Sequence, residues 1–344
     1  MKPLKRLAAL GLSLALALSL TACGDQETKK ESDPKGSEED LKELTVVLDW
    51  TPNTNHTGLY VAQEKGYFQD AGLKVKIVQP PEDGAEVLVA SGRAQFGVSF
   101  QDYIAPALIG EEPLGITAVA ALLQHNTSGI ISRKGEGMDR PKGLENHAYA
   151  TWDLPVEKAT LQQVMEKDGG DFSKVQMIAS TVTDEVSALE SKAVDAIWIF
   201  YGWAGIACET AGLETDYFAF ADIDPVFDFY TPLLIANNDF LESDPDTAKA
   251  FLAALAKGYQ DAIDDPEAAA ETLMTAVPEL KDSRELVVAS QKYLAKQYIA
   301  DADRWGEFDP TRWGNFFTWL NEHHLLEGTV DPAAGFSNDF LPEA

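Results

Sequence analysis

The 344-residue chain carries 56 acidic against 27 basic residues, a formal charge of −29. That balance excludes a nucleic-acid surface, which needs a basic face to neutralise phosphates, and disfavours electrostatic attachment to anionic lipid. Beyond its N-terminal segments about 300 residues remain, enough for two lobes each with its own core.

Met1 to Ala22 opens with Lys2, Lys5 and Arg6 and runs into an apolar Leu/Ala stretch ending at Leu20, the pattern of a secretory leader. The stretch is shorter than the roughly 20 apolar residues a membrane span needs. Leu20-Thr21-Ala22-Cys23 reads as a lipobox. Residues 1–22 are therefore expected to be a lipoprotein signal peptide. Cys23 is then the lipidated residue that anchors the protein to the extracytoplasmic face of the membrane. Residues 23–43, rich in Lys, Glu, Asp, Ser and Gly, have almost nothing to bury and are expected to form a disordered tether. With Cys23 acylated, Cys208 is the remaining thiol, so no internal disulfide is expected; its apolar setting fits a small packed residue.

From Leu44 onward strand and helix signals alternate, the signature of α/β architecture. Strands are predicted at 44–48, 74–78, 96–99, 115–121 and 129–132, with helices at 84–91 and 103–109. The stretch Leu48–Phe68 combines a strand end, a polar and aromatic loop broken by Pro52, and a helix start. Asp49, Trp50, Asn53 and His56 sit at that break, where α/β folds place ligands. A second set follows: strands at 147–151, 175–179 and 196–200, and helices at 156–167, where Pro155 suits the first position, and 184–192. A strand is predicted at 231–236. Helical patterns then fill 246–264, 266–277, 284–298 and 310–323. Two strand-bearing blocks and a helical tail predict two lobes, with the chain crossing out near Ser132 and back near Tyr230. The expected division is lobe 1 at 44–131, lobe 2 at 132–230, and the rest of lobe 1 with its C-terminal helices at 231–344.

The run Asp49-Trp50-Thr51-Pro52-Asn53-Thr54-Asn55-His56-Thr57-Gly58-Leu59-Tyr60 resembles the opening motif of the thiamin-pyrimidine family. That family holds the ABC-transporter binding lipoproteins of the ThiY type and the fungal-type pyrimidine synthases. The likeness extends over Leu44–His324, through Gln124–Gly129, Pro155–Ala159, Trp198–Trp203 with Gly205-Ile206, Tyr230-Thr231-Pro232, and Gln297-Tyr298 to Arg304-Trp305-Gly306. It implies a type II periplasmic binding protein fold with a ligand cleft between two lobes that close about a hinge. It implies a monomer that delivers a small pyrimidine of formylaminopyrimidine or hydroxymethylpyrimidine type to an ABC permease and its ATPase subunits.

Tyr201 and Trp203 follow the buried pattern of 196–200 and so end a lobe 2 strand opposite Trp50. Two facing aromatics can sandwich a flat ring, though core packing is the other reading for both. Trp152 ends another lobe 2 strand, with rim packing and ligand contact equally open. An aminopyrimidine needs a carboxylate or amide at its edge, which makes Asp49, Asn53, Asn126 and the neighbouring Thr127 candidates. Asp49 can instead cap the turn and Asn53 stabilise the loop. His56 is either a ligand donor or a helix-start residue bonded to backbone. The family's usual glutamate after the Gly-Ile pair is Ala207 here, with Glu209 two residues on, which leaves open the carboxylate that meets the ring substituent.

His56, His125, His147, His323 and His324 have no metal-like spacing among themselves or with Cys208, so no metal site is expected. No phosphate loop or nucleophile elbow is present, and no cofactor is expected. The fungal-type synthases use a lysine that holds pyridoxal phosphate, a histidine four residues later and a cysteine-rich run. Ser99 and Tyr103 stand at the lysine and histidine positions, and the run is missing. A serine cannot form the Schiff base, so a receptor rather than an enzyme is expected. Anionic ligands would call for Arg or Lys in the cleft loops, and these have none. Flavin is the main competitor as a neutral flat ring.

Overall fold

The computed structural model describes residues 41–343. The expected signal peptide, the lipidated Cys23 and nearly all of the expected tether lie outside those residues. The first strand starts at Lys42, so positions 42 and 43, assigned to the tether, are strand instead.

Among the described residues ten strands form two five-stranded sheets. In the first sheet β1 (Lys42–Val47) lies between β2 (Leu73–Val78) and β3 (Phe96–Ser99), parallel to both. β4 (Ile116–Ala121) forms the far edge of that sheet. The second sheet contains β5 (Ser128–Arg133), β6 (Ala148–Thr151), β7 (Gln176–Ala179), β8 (Ala196–Phe200) and β9 (Thr215–Ala219), in the order β7-β6-β8-β5-β9. β10 (Leu233–Asn237) returns to the first sheet and runs antiparallel between β3 and β4.

The chain thus leaves the first sheet between Ala121 and Ser128 and re-enters it between Ala219 and Leu233. The expected boundary after residue 131 falls inside β5, all six of whose residues are buried in the second sheet. β9 escaped the sequence reading because Thr215-Asp216-Tyr217-Phe218-Ala219 follows Gly212 with no long apolar run, and it is held by pairing with β5.

The C-terminal helix Pro245–Asp264 packs on the first sheet, while Trp319 of the Pro310–Glu322 helix meets Phe227 and Gln163 of the second half. Phe251, in the Pro245–Asp264 helix, stacks on Phe96 of β3 with ring centroids 4.1 Å apart. The same helix crosses the Thr57–Glu64 helix at a glycine contact: a Cβ at Gly258 would stand 2.1 Å from the Gly58 carbonyl oxygen. Backbones meet there with no side chain between them. This contact fixes the helix that follows the Asp49–His56 loop.

Candidate functional site

The loop after β1 is built by its own side chains. Asn53 caps the short helix at Thr54–His56: its Oδ1 accepts from the Asn55 N–H at 2.9 Å and its Nδ2 donates to the Thr51 carbonyl at 3.1 Å. The Asn53 N–H donates to His56 Nδ1 at 3.1 Å, so that nitrogen is the acceptor and Nε2 carries the proton. Nε2 then donates to Asp49 Oδ1 at 2.6 Å. His56 is fully buried, and the interaction orients Asp49.

The helical tail clamps the loop from below. Tyr298 donates to the Thr54 carbonyl at 2.6 Å, Tyr259 to the Asn55 carbonyl at 2.7 Å, and Thr57 to Gln291 Oε1 at 2.6 Å.

Above this loop, between the two sheets, lies a cavity of about 570 Å³. Trp50 and Tyr103 wall it from the first sheet's side, and Trp152, Trp198, Phe200 and Trp203 from the second. Trp50, Tyr103 and Trp152 keep 49%, 50% and 42% of their surface exposed, unusual for aromatics that neighbour a core. Phe100, after β3, and Phe200, at the end of β8, face each other with centroids 6.2 Å apart and join the two halves at the cavity.

Four carboxylates reach this lining, Asp49, Asp102, Glu157 and Glu185, and no Lys, Arg or His does. Glu157 is buried and saturated by Tyr149 OH at 2.7 Å, Thr151 Oγ1 at 2.9 Å and the Trp152 and Leu154 N–H groups at 3.1 and 3.3 Å. It closes the loop that carries Trp152 onto its helix start. Burial pushes the Asp102 carboxyl up to about 7, with Glu86 nearby adding to the effect. Burial raises that of Glu185 too.

Of the residues singled out from sequence, Asp49, Trp50, Asn53, Trp152 and Trp203 meet at this cavity. His56, Asn126, Thr127, Tyr201 and Glu209 are not among its lining residues. Tyr201 begins a π-helical turn, Tyr201–Gly205, that brings Trp203 to the cavity and leaves Tyr201 against Tyr217 and Tyr293, at 4.7 and 5.4 Å. Its hydroxyl donates to Glu209 on the exposed side. Asn126 ties the two crossing segments together, donating through Nδ2 to the Phe227 carbonyl at 2.8 Å and through its N–H to Asp228 Oδ1 at 2.9 Å. The Thr127 carbonyl accepts from the Tyr201 N–H at 2.9 Å and the Tyr217 hydroxyl at 2.8 Å.

Phe100, Asp102, Trp198, Phe200 and Glu185 are lining residues that the sequence reading missed. The alternation of β8 was the available signal for Trp198 and Phe200, which sit two apart and share a face. Asp102 and Glu185 stand in the first turn of short helices, where an acidic residue ordinarily needs no further explanation. Among the described residues no three His, Cys, Asp or Glu side chains are grouped to hold a metal ion. No described helix is long and apolar enough to cross a membrane.

Residues 53–269 match the NMT1/THI5-like family. The chain belongs to that family. Within it, the chain is 28% identical to the formylaminopyrimidine-binding protein of Halalkalibacterium halodurans, over 95% of this chain and 97% of that one. It is 27% identical to a 4-amino-5-hydroxymethyl-2-methylpyrimidine phosphate synthase of Saccharomyces cerevisiae, over 70% and 72% of the two chains. Among solved structures, the periplasmic aliphatic sulphonate binding protein SsuA of Escherichia coli superposes with a TM-score of 0.65 at 14% identity, over 88% of this chain and 94% of that one. The α/β architecture of this NMT1/THI5-like protein is that of the periplasmic binding proteins. Ser99, at the position where the synthases are expected to carry their lysine, is buried and donates to Glu86, so pyridoxal phosphate finds no amine there.

Proposed function

We propose that this protein is the substrate-binding component of an ABC importer and that it captures a thiamin-precursor pyrimidine of formylaminopyrimidine or hydroxymethylpyrimidine type. The observation that carries the reading is the lining of the cavity between the sheets: aromatic rings from both sides, carboxylates at the edges, and no cationic side chain. Flat rings gain from offset stacking on such walls. Sulfonates and phosphates would meet four carboxylates with no Arg or Lys to pair with. The relative of similar length, named for binding formylaminopyrimidine, supports the same ligand class.

In this reading Trp50 stacks the ring against the aromatics of the second lobe, with Trp152 and Trp203 in the role first given to Tyr201. Asp49 presents a polar group from the loop, and Asn53 holds that loop in place. The protein works as a receptor and hands its ligand to a permease and ATPase pair, held at the outer face of the membrane by a lipid on Cys23. The lobes 42–121 with 233–343, and 128–219, close about the two crossings.

Isothermal titration of the purified protein against formylaminopyrimidine, hydroxymethylpyrimidine, thiamin and riboflavin tests it. One of the two simple pyrimidines is expected to bind tightest, at one site per chain. Tighter riboflavin binding would move the protein to the flavin reading. Turnover of a pyridoxal cofactor into a pyrimidine would make it an enzyme.

A further inference from the structure

We propose that Asp102 and Glu185 set ligand selectivity in the cleft, and that they select a ring edge bearing an amino group beside a ring nitrogen over an edge bearing carbonyl oxygens. The inference rests on the pyrimidine reading of the cavity and goes beyond it by naming the residues that tell two pyrimidines apart.

Asp102 and Glu185 reach the same cavity from opposite sides. Asp102 is the second residue of the Gln101–Ala107 helix after β3, and Glu185 the first of the Glu185–Glu190 helix in the other half. The other two lining carboxylates are already engaged, Asp49 by His56 and Glu157 by its four residues of donors. Asp102 accepts only from the N–H groups of residues 102 and 103, and Glu185 only from its own. Neither has a side-chain hydrogen bond or ion pair with any described residue, and no cation lines the cavity beside them. Two half-buried carboxyl groups with free oxygens facing one cavity are groups whose partners a ligand must supply.

The chemistry of that partner follows. An ionised carboxyl only accepts, and a protonated one also donates. Burial holds the Asp102 carboxyl at about 7, so it can meet a ring edge in either form at pH 7, and burial raises that of Glu185 as well. An exocyclic amine donates to a carboxylate, and the ring nitrogen beside it accepts from a carboxylic acid. An ionised carboxyl repels the carbonyl lone pairs of a 4-oxo edge and only a protonated one donates to them, whereas the amino edge pairs with either form, which is the basis for discrimination.

The test is isothermal titration at pH 7 of wild type, Asp102→Ala and Glu185→Ala with 4-amino-5-hydroxymethyl-2-methylpyrimidine and its 4-oxo counterpart. Wild type is expected to favour the amino compound by about 10-fold or more. Each alanine variant is expected to weaken the amino compound by about 5- to 50-fold while moving the 4-oxo compound by less than about 3-fold, so that the preference collapses. Wild-type preference kept in both variants overturns the inference and leaves the pyrimidine reading standing. Collapse in one variant alone overturns the pairing of the two carboxylates. Wild type that binds neither ring overturns both the inference and the reading beneath it.

Discussion

Trp50 leaves half of its surface exposed while its ring walls the cavity, so its value lies in what it binds and little in the core. Trp50→Ala is expected to weaken pyrimidine binding by roughly 1 to 3 kcal/mol, about 5- to 150-fold, with the ligand-free melting temperature nearly unchanged. Titration and a thermal melt on the same sample check both halves. Asp102 gives the opposite signature. Burial holds its carboxyl at about 7, so the folded chain favours the neutral form, and stability falls as pH rises from the carboxylate range through 7. Asp102→Asn removes that cost: the melting temperature is expected to rise by about 2 °C or more at pH 8 and to change little near pH 4. Equal shifts at both pH values would mean that the carboxyl is not held neutral. At this scale the sequence marked an aromatic strand end but not which of its rings lines the cavity. Tyr201 and Trp203 are two apart, as cleft neighbours on a continued strand would be. The π-helical turn breaks that alternation, and no residue from Tyr201 to Gly205 announces it.

The Asp49–His56 loop was legible as a break at the strand end, and its internal wiring was not. For His56 and Asn53 the sequence left ligand contact and support of the loop both open, because polar side chains suit either. In the fold His56 spends both ring nitrogens on the loop, and Asn53 spends both amide atoms on Asn55 and Thr51. Asn53→Ala is expected to cost about 1 kcal/mol of stability as a lost cap, and to lower affinity further because Asp49 and Trp50 lose their fixed placement. The two crossing segments carry a second polar group. His125 lies between Asp228 at 2.7 Å and Asp301 at 3.0 Å, and Arg312 Nη1 stands 3.3 Å from its Nδ1 and 3.6 Å from Asp228. The hydrogen bond to Asp228 comes first among the causes that raise the His125 pKa. A raised imidazole pKa contributes stability that is fully present below the unfolded value, near 6.5, and is lost as pH rises through the folded value. His125→Gln is expected to lower the melting temperature more at pH 6 than at pH 9. A pH-independent difference would show that the imidazolium is not what holds the crossing.

Across the whole molecule, alternating strand and helix signals predicted two lobes because buried strands and amphipathic helices are local patterns. The position of the first crossing was off by several residues, since Ser128 to Arg133 reads as one apolar strand whichever sheet it joins. The choice of sheet is made by distant pairing with β8 and β9. Two lobes joined at crossings and lined by aromatics at their meeting face are expected to close on a ligand. Small-angle scattering should give a smaller radius of gyration with saturating pyrimidine, and an unchanged curve would mean that the site is rigid. The central claim is that a pyrimidine sits between Trp50 and the second-lobe aromatics with its polar edge toward the cavity carboxylates, and a crystal structure of the complex tests it most directly. Density for the ring stacked on Trp50 within hydrogen-bond distance of Asp102 or Glu185 is the expected result. A ring seated against Tyr201 and Glu209, outside the cavity, would contradict it.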